Sequence, residues 1–207
     1  MLNPDGSFNY EANAGQTGAD AFEFRANDGL ADSNTATVSI EIEASDAPAV
    51  SCHNENPAVP ATTPSSDFTI HDDGTVTHDT TGLTWMRCSL GQTWDAGSET
   101  CTGSADQHTW FGALDAAREL NESGGYAGQM DWRLPNKNEL FSITEGRCWL
   151  PAANLAIFPE TAAVSFWTAS PRTLSADMAW SIGFARGETG STMKWAPAEV
   201  RLVRAGD

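Results

Sequence analysis

The first forty-six residues alternate apolar and polar positions with a period of two, a pattern typical of half-buried antiparallel strands. In one run Phe22 and Phe24 alternate with charged residues, and in a second run, over 35–43, Val38 and Ile40 share one face. Turn-forming residues interrupt the pattern at Asn3-Pro4-Asp5-Gly6 and at Asn27-Asp28-Gly29. We therefore predict a small, partial all-β segment over residues 1–46.

Two later segments have a helical period instead. In the first, over 109–121, four apolar side chains fall on one face: Trp110, Leu114, Ala117 and Leu120. Thr109 is placed to cap its start. Asn136 and Glu139 form a capping-box pattern that begins the second helix, with Leu140 and Ile143 facing inward.

Strand patterns surround the two predicted helices. The turn His71-Asp72-Asp73-Gly74 separates two short β-forming runs and predicts a hairpin. Further strand-like runs cover 81–86, 165–167, 179–184 and 199–204. Helices followed by a series of short strands indicate an α+β domain.

Residues 47–66 differ in composition, being rich in Pro, Ala, Ser and Thr and almost free of large apolar residues. Such a stretch is typical of a semi-extended linker. Cys52 lies inside it, which indicates that the linker is pinned to the domain that follows. The predicted organisation is a β segment over 1–46, a linker over 47–66 and a second domain over 67–207.

The overall charge narrows the choice of partners. The 207 residues include 28 Asp and Glu against 11 Lys and Arg, a formal net charge of −17. Such a surface repels phosphate backbones and anionic lipids, so we expect no nucleic-acid partner. No apolar run approaches the ~18 residues that a membrane helix needs, so we expect no membrane insertion. Eight tryptophans and 40% hydrophobic residues indicate a folded chain.

The four cysteines include no Cys-x-x-Cys pair, which disfavours a zinc ribbon or a redox motif. An even count in a chain rich in Thr, Ser and Gly favours disulfides, so we expect an extracellular or cell-surface protein. The chain opens without a signal-peptide pattern, and an exported protein would then continue upstream. Of three connectivities we favour Cys88–Cys101, which closes a short loop, with Cys52–Cys148; the alternative is four buried free thiols.

Both parts of the chain resemble known families. The sequence LNPDGSFNYEANAGQTGADAFEFRANDG, followed by SNTATVSIEIE, resembles the second half of bacterial cadherin-like, immunoglobulin-type adhesin repeats. Residues 67–207 resemble the family named for the C-terminal domain of the Legionella collagen-like adhesin, through the ordered motifs FTIHDDGTVTHDTTGLTWMRC, TWFGALDAARELN, DWRLPNKNEL, FWTASP, AWSIGF and VRLVR. DWRLPNKNEL is also similar to a motif of formylglycine-generating enzymes. The resemblance implies a C-type-lectin-like fold of that type.

The resemblance implies ligand binding rather than chemistry. Similar domains include the variable proteins of diversity-generating retroelements, in which C-terminal loops are mutagenised, and 171–199 is the matching stretch here. Family members often carry runs of Asn, Tyr and Ser there, whereas this chain reads PRTLSADM and ARGETGSTMKWAPAE, which fits a diversified surface or ordinary drift. Trp195 is either an aromatic anchor or a packing residue. The candidate ligand-binding residues are Arg172, Thr173, Ser175, Asp177, Arg186, Glu188, Ser191, Met193, Lys194, Trp195 and Glu199.

Other conspicuous side chains have structural interpretations. We expect four tryptophans in the core: Trp85, Trp132, Trp167 and Trp180. Arg133 is predicted to pair with Asp131 or a backbone carbonyl, and Arg201 and Arg204 are predicted to face outward. The four histidines show no ligand spacing and are predicted to lie on the surface: His53, His71, His78 and His108.

A metal site has weak support. C-type-lectin-like folds often carry calcium, and Asp72, Asp73 and Asp79 form a carboxylate cluster, but a hairpin turn explains Asp72 and Asp73 equally well. We therefore predict no cofactor and leave calcium open. Gly-x-Ser-x-Gly and P-loop motifs are missing from the sequence, and we expect no enzyme.

Two functions remain as hypotheses. The favoured one is the tip of a bacterial surface or secreted adhesin that binds a glycan or protein through its C-terminal loops. The acidic charge argues against sulfated glycosaminoglycans as that ligand. The alternative is a structural domain without a small ligand that forms a homo-oligomer.

Overall fold

The computed structural model describes residues 10, 18–27, 29–42 and 50–206. The chain divides into two compact units, Met1–Ala47 and Pro48–Asp207, and each is described by itself. The turn predicted at residues 3–6 lies outside the described residues.

The first unit contains an antiparallel pair, β1 (Gly18–Phe24) and β2 (Ala36–Ile42). The predicted alternation is confirmed, because Phe22 lies opposite Val38 and both are half-buried. Ahead of the pair, the Tyr10 hydroxyl donates a hydrogen bond of 2.7 Å to the Asp20 carboxylate.

The second unit combines short strands with two helices, which confirms the α+β class. Its strands are β3 (Asn54–Glu55), β4 (Phe68–Ile70), β5 (Thr75–His78), β6 (Leu83–Met86), β7 (Thr93–Asp95), β8 (Thr100–Thr102), β9 (Cys148–Trp149), β10 (Ser165–Pro171), β11 (Met178–Gly183), β12 (Glu188–Met193) and β13 (Val203–Ala205). Its helices are α1 (Trp110–Glu122) and α2 (Lys137–Phe141), and a short 3₁₀ helix covers Ser65–Asp67.

Two antiparallel sheets organise this unit. One has the strand order β13-β6-β5-β4, so the last strand of the chain pairs with an early one. The other is the meander β10-β11-β12. The hairpin predicted around residues 71–74 joins β4 to β5 and is confirmed.

The predicted helix starts are also confirmed. The Thr109 hydroxyl accepts a hydrogen bond from the Gly112 amide, and Asn136 and Glu139 form a complete capping box. The inner face of α1 differs in one position from the prediction. The buried stripe runs through Ala113 and Ala117, and Leu114, one step around the helix, is 36% exposed.

Two apolar clusters form the core of the second unit. Trp85 belongs to the first cluster, and Trp132 and Trp167 belong to the second, all three at most 1% exposed, as predicted. Trp180 is only half-buried, and the Lys137 ammonium lies 4.9 Å from the centre of its ring. Trp180 was therefore wrongly predicted as a core residue.

The prediction that Arg201 faces outward is wrong, because its side chain is fully buried. Its guanidinium donates to the carbonyl oxygens of Met86 and Arg87 and to the Thr161 hydroxyl. It also lies 4.8 Å from the centre of the Phe158 ring. The alternation that suggested an outward position fails because the whole segment 198–204 is buried, so neither face of it meets solvent. Burial lowers the pKa of Arg201 to about 9.

Arg204 is also buried, at 8% exposed, and its Nε donates to Asp131 at 2.8 Å. The partner predicted for Arg133 was therefore wrong. Arg133 instead forms an ion pair of 2.8 Å with the Glu139 carboxylate. The Glu139 carboxylate thus joins the α2 capping box to Arg133, one step before the core residue Leu134.

His78 corrects the prediction that all histidines lie on the surface. Its ring is 5% exposed and stacks on Phe68 with a centroid distance of 4.7 Å. Burial lowers the pKa of His78, because the interior disfavours the charged imidazolium. The His78 side chain, on β5, therefore packs against Phe68, a member of the first core cluster.

Residues 50–66, which composition assigned to a linker, belong to the second unit and pack against the rest of it. Both favoured disulfides are formed, Cys52–Cys148 and Cys88–Cys101. Strand β3 pairs with β9, and the buried Glu145 carboxylate accepts hydrogen bonds from the amides of Thr62 and Thr63. The unit therefore begins near residue 48. We call residues 50–66 the strap.

We predict that Arg201→Met lowers the free energy of unfolding by about 3 kcal/mol or more. The substitution keeps an apolar stem but leaves two buried carbonyl oxygens without their donor, and each such loss costs about 1–3 kcal/mol. Urea unfolding of the full chain measures this. Arg118→Met is the control, because Arg118 lies on the exposed face of α1 with its ion pairs in solvent. Equal effects of the two substitutions would contradict the structural role of Arg201.

We also predict unequal contributions from the two disulfides. Cys52 and Cys148 are 96 positions apart in sequence, whereas Cys88 and Cys101 are 13 apart. In the chain-entropy model the longer loop is worth about 4–5 kcal/mol and the shorter about 3 kcal/mol. Replacing each pair by serine and measuring urea unfolding tests this order. A larger loss from removing Cys88–Cys101 would show that closure of the strap is not the main stabilising effect.

A candidate ligand-binding site around Trp195

A cavity of about 380 Å³ opens on the surface of the second unit where three chain segments meet. The segments are the start of α1, the loop 172–177 between β10 and β11, and the residues that follow β12. Its lining residues are Thr109, Phe111, Ala176, Asp177, Lys194 and Trp195. We call it the Trp195 cavity.

Backbone hydrogen bonds tie the three segments together. The Trp110 amide donates to the Lys194 carbonyl at 2.8 Å, and the Lys194 amide donates to the Asp177 carbonyl at 2.9 Å. The backbones of His108 and Ala198, which lie close in sequence to Trp110 and Lys194, also exchange hydrogen bonds in both directions. The walls of the cavity are therefore part of the hydrogen-bonded framework, although two of the three segments are loops.

The indole of Trp110 fastens this framework to the core. Its Nε1 donates to the Thr168 carbonyl of β10 at 2.8 Å, and the Trp167 indole of the same strand donates to the His108 carbonyl at 2.7 Å. Trp167 belongs to the second core cluster. The site is thus anchored through two indole hydrogen bonds to a buried strand.

Large apolar side chains are exposed at this place. Phe111 is 60% exposed, Trp195 64% and Leu174, two residues before Ala176, 92%. Met193, next to Lys194, is 42% exposed. Single exposed apolar residues are common, but several on joined segments are typical of a contact surface.

The charged groups of the cavity are one base and one acid. The Lys194 ammonium lies 4.4 Å from the centre of the Trp110 ring and 5.7 Å from that of Phe111, a cation–π arrangement that orients it. Asp177 contributes the carboxylate. The formal charges of the lining residues therefore cancel.

The structure brings most of the predicted ligand-binding residues to this end of the β11–β12 hairpin. Asp177, Lys194 and Trp195 line the cavity, and the remaining neighbours lie on the adjoining loop and strand: Arg172, Thr173, Ser175, Ser191 and Met193. Arg172 donates to the Ser191 hydroxyl at 2.8 Å and lies 5.8 Å from the centre of the Trp180 ring. Its guanidinium braces the loop beside the cavity.

Three predicted residues lie elsewhere. Arg186 and Glu188 are at the opposite end of the β11–β12 hairpin, since Gly183 pairs with Glu188 there. Five residues of strand separate the two ends, about 17 Å. Glu199 is 7% exposed, and burial raises the pKa of its carboxyl group. The structure therefore does not place these three side chains at the cavity.

Sequence reasoning missed four residues near the site: Thr109, Phe111, Leu174 and Ala176. Phe111 had a usable signal, because it lies off the apolar face of the predicted helix, where a large aromatic side chain has no core to fill. Leu174 stands alone among polar loop residues and gave a weaker signal. Thr109 was interpreted only as a helix cap.

The proposed carboxylate cluster is occupied by local hydrogen bonds. Asp73 accepts from the amide and hydroxyl of Thr75, and Asp79 accepts from the Thr69 hydroxyl. Among the described residues, no group of three or more His, Cys, Asp or Glu side chains is placed to hold a metal ion. The prediction of no cofactor, with calcium left open, stays untested.

In the part of the chain that the structure describes, no helix is both long and apolar enough to cross a membrane.

The architecture defines a two-part protein, a strand pair followed by a disulfide-bonded α+β unit with an exposed aromatic cavity. Residues 74–204 match the model of the Lcl C-terminal domain family, and residues 1–41 match a bacterial Ig domain. The chain belongs to the Lcl C-terminal domain family, and both resemblances inferred from the sequence are confirmed. Comparison with curated proteins gives no match. The family, the Ig segment and the two disulfides indicate an adhesin-like protein of the cell exterior or surface.

Proposed function

We propose that this chain is the ligand-binding end of a bacterial surface adhesin and that the Trp195 cavity with its exposed apolar neighbours makes the contact. One observation carries the proposal: Phe111, Leu174 and Trp195 are each at least 60% exposed on segments that the backbone holds together. Tryptophan is enriched among the residues that dominate binding energy. A site whose walls are fixed before binding loses less conformational entropy when it binds.

The C-type-lectin-like fold and the diversification of residues 171–199, both suggested by the sequence resemblance, are part of the same proposal. A C-type-lectin-like fold is supported by two helices packed with antiparallel sheets and by the pairing of β13 with β6, which brings the end of the domain back to its beginning. Diversification of 171–199 by a retroelement is supported by the exposure of Leu174 and Trp195. Within that stretch, however, Ala179 and Ile182 are fully buried, so variation would have to be confined to the loop positions.

A second function has some support from the same surface. Exposed apolar side chains, Leu174 above all, are also what an interface between copies would bury. In that case the domain would assemble the adhesin rather than bind a ligand. The oligomeric state of the wild type and of a Trp195 variant separates the two functions.

We predict that Trp195→Ala weakens adhesion about 30-fold, because loss of an aromatic anchor costs about 2 kcal/mol or more. The measurement uses beads coated with the full chain and counts those retained on epithelial monolayers, bacterial lawns and immobilised mucin. Trp149→Ala is the matched control, since Trp149 is 40% exposed on β9 and does not line the cavity.

Light scattering of the same proteins gives the oligomeric state. Equal adhesion of the two variants would contradict a ligand site at Trp195. A wild-type oligomer that Trp195→Ala converts to monomers, without a change in bead adhesion, would establish the assembly function instead.

A further inference from the structure

We propose that the ligand of the Trp195 cavity is a neutral sugar that stacks on the exposed aromatic rings and forms hydrogen bonds with the polar lining residues. The inference rests on the proposed ligand-binding function and adds the chemical class of the ligand. It depends on the size of the cavity, on its aromatic walls and on the balance of its charges.

The size of the cavity suits a small ligand. Its volume of about 380 Å³ lies at the low end of the range of roughly 300–1,000 Å³ typical of small-molecule sites. One or two sugar rings fill such a space. A protein partner needs about 800 Å² of contact surface, far more than the six lining residues offer.

The walls provide aromatic faces. The face of an aromatic ring carries partial negative charge and attracts groups with partial positive charge. The axial C–H groups on one side of a pyranose ring are such groups. Phe111 and Trp195 are both exposed, and the Lys194 ammonium lies closer to the Trp110 ring, 4.4 Å from its centre, than to the Phe111 ring, at 5.7 Å. The two exposed rings are therefore the ones left for stacking.

The polar groups match hydroxyls. A carboxylate such as that of Asp177 accepts hydrogen bonds, and the Lys194 ammonium donates up to three. The Thr109 hydroxyl accepts from the Gly112 amide as the cap of α1, and its own proton remains for donation. Because the Lys194 amide is bonded to the Asp177 carbonyl, the spacing of acid and base is set by the backbone. Sugar hydroxyls, which both donate and accept, fit this combination.

The charges disfavour the other ligands that aromatic cavities bind. The Lys194 ammonium between the aromatic rings repels a cation such as a quaternary amine. The net charge of −17 repels a polyanion such as a sulfated glycan. With one acid and one base in the lining, an uncharged ligand leaves the cavity neutral.

The experiment uses the full chain on beads and the surface from the three above that retains most beads. That surface is treated with periodate, which cleaves vicinal diols of glycans, or with trypsin, which removes protein. Competition uses methyl α-mannoside, methyl β-galactoside, methyl α-fucoside and methyl β-N-acetylglucosaminide, with heparin as the anionic control. Three variants accompany the wild type: Trp195→Ala, Trp195→Phe and Asp177→Asn, with Trp149→Ala as the control.

We expect periodate to reduce adhesion at least tenfold and at least one neutral glycoside to compete where heparin does not, while trypsin reduces adhesion only to the extent that it releases glycans carried on protein. Trp195→Phe keeps an aromatic face and should retain most of the adhesion that Trp195→Ala loses. Asp177→Asn removes the charge while keeping the shape, and should alter the order in which the glycosides compete.

Adhesion that depends on Trp195 but is lost with trypsin and resists periodate would overturn the sugar ligand and leave the ligand-binding function standing. Competition by heparin alone would likewise overturn the neutral class. Adhesion equal in Trp195→Ala and Trp149→Ala, or no bead retention on any surface, would overturn the proposed function itself.

Discussion

The buried guanidinium of Arg201 is the interaction on which the position of the candidate site depends. It holds the backbone at the end of β6 through the Met86 and Arg87 carbonyls and the loop before β10 through Thr161. Ala198, three residues before Arg201, exchanges backbone hydrogen bonds with His108. Trp195 lies three residues before Ala198 on the same segment. The C-terminal segment is thus fixed at its base by a buried cation and at its tip by the start of α1.

Burying the charged guanidinium of Arg201 costs free energy, and the lowered pKa of this side chain reflects that cost. The cost is offset by carbonyl acceptors and by the faces of Phe158 and Phe166, at 4.8 and 6.0 Å from the guanidinium. An apolar residue would fill the space, but it would leave the two carbonyl oxygens unpaired. The side chain therefore orders a segment with little regular secondary structure. For the strap, the buried Glu145 carboxylate plays a corresponding part, because it accepts hydrogen bonds from the Thr62 and Thr63 amides.

Local signals predicted much of the fold. The caps at Thr109 and Asn136, the hairpin at 71–74 and the short disulfide depend on neighbours within about fifteen residues, and the sequence shows those neighbours directly. Arg201, Arg204 and His78 were misplaced because their burial depends on partners that are distant in sequence. A polar residue at an alternating position looks the same whether it faces solvent or a carbonyl of another strand.

In the candidate site, too, some residues could be predicted from the sequence, whereas those that depend on contacts distant in sequence were missed or misplaced. Trp195, Lys194 and Asp177 were predicted from a resemblance that marks loops, and the structure places them around one cavity. Phe111 comes from a helix more than sixty residues earlier, and contacts distant in sequence bring it to them: the hydrogen bond from Trp110 to Lys194 and the Lys194 ammonium near its own ring. Arg186 and Glu188 share the loop stretch but lie at the other end of a hairpin whose register the sequence does not reveal.

The central claim is that the Trp195 cavity is a fixed part of the fold and exists before any ligand binds. Amide hydrogen exchange of the free protein tests this directly at Trp110, Lys194 and Ala198, whose amides form the hydrogen bonds of the framework. We predict protection within about tenfold of the β11 amides, since the same packing must open to release them. Exchange at the rate of an unstructured loop would show that the cavity forms only transiently and would contradict this account of the site.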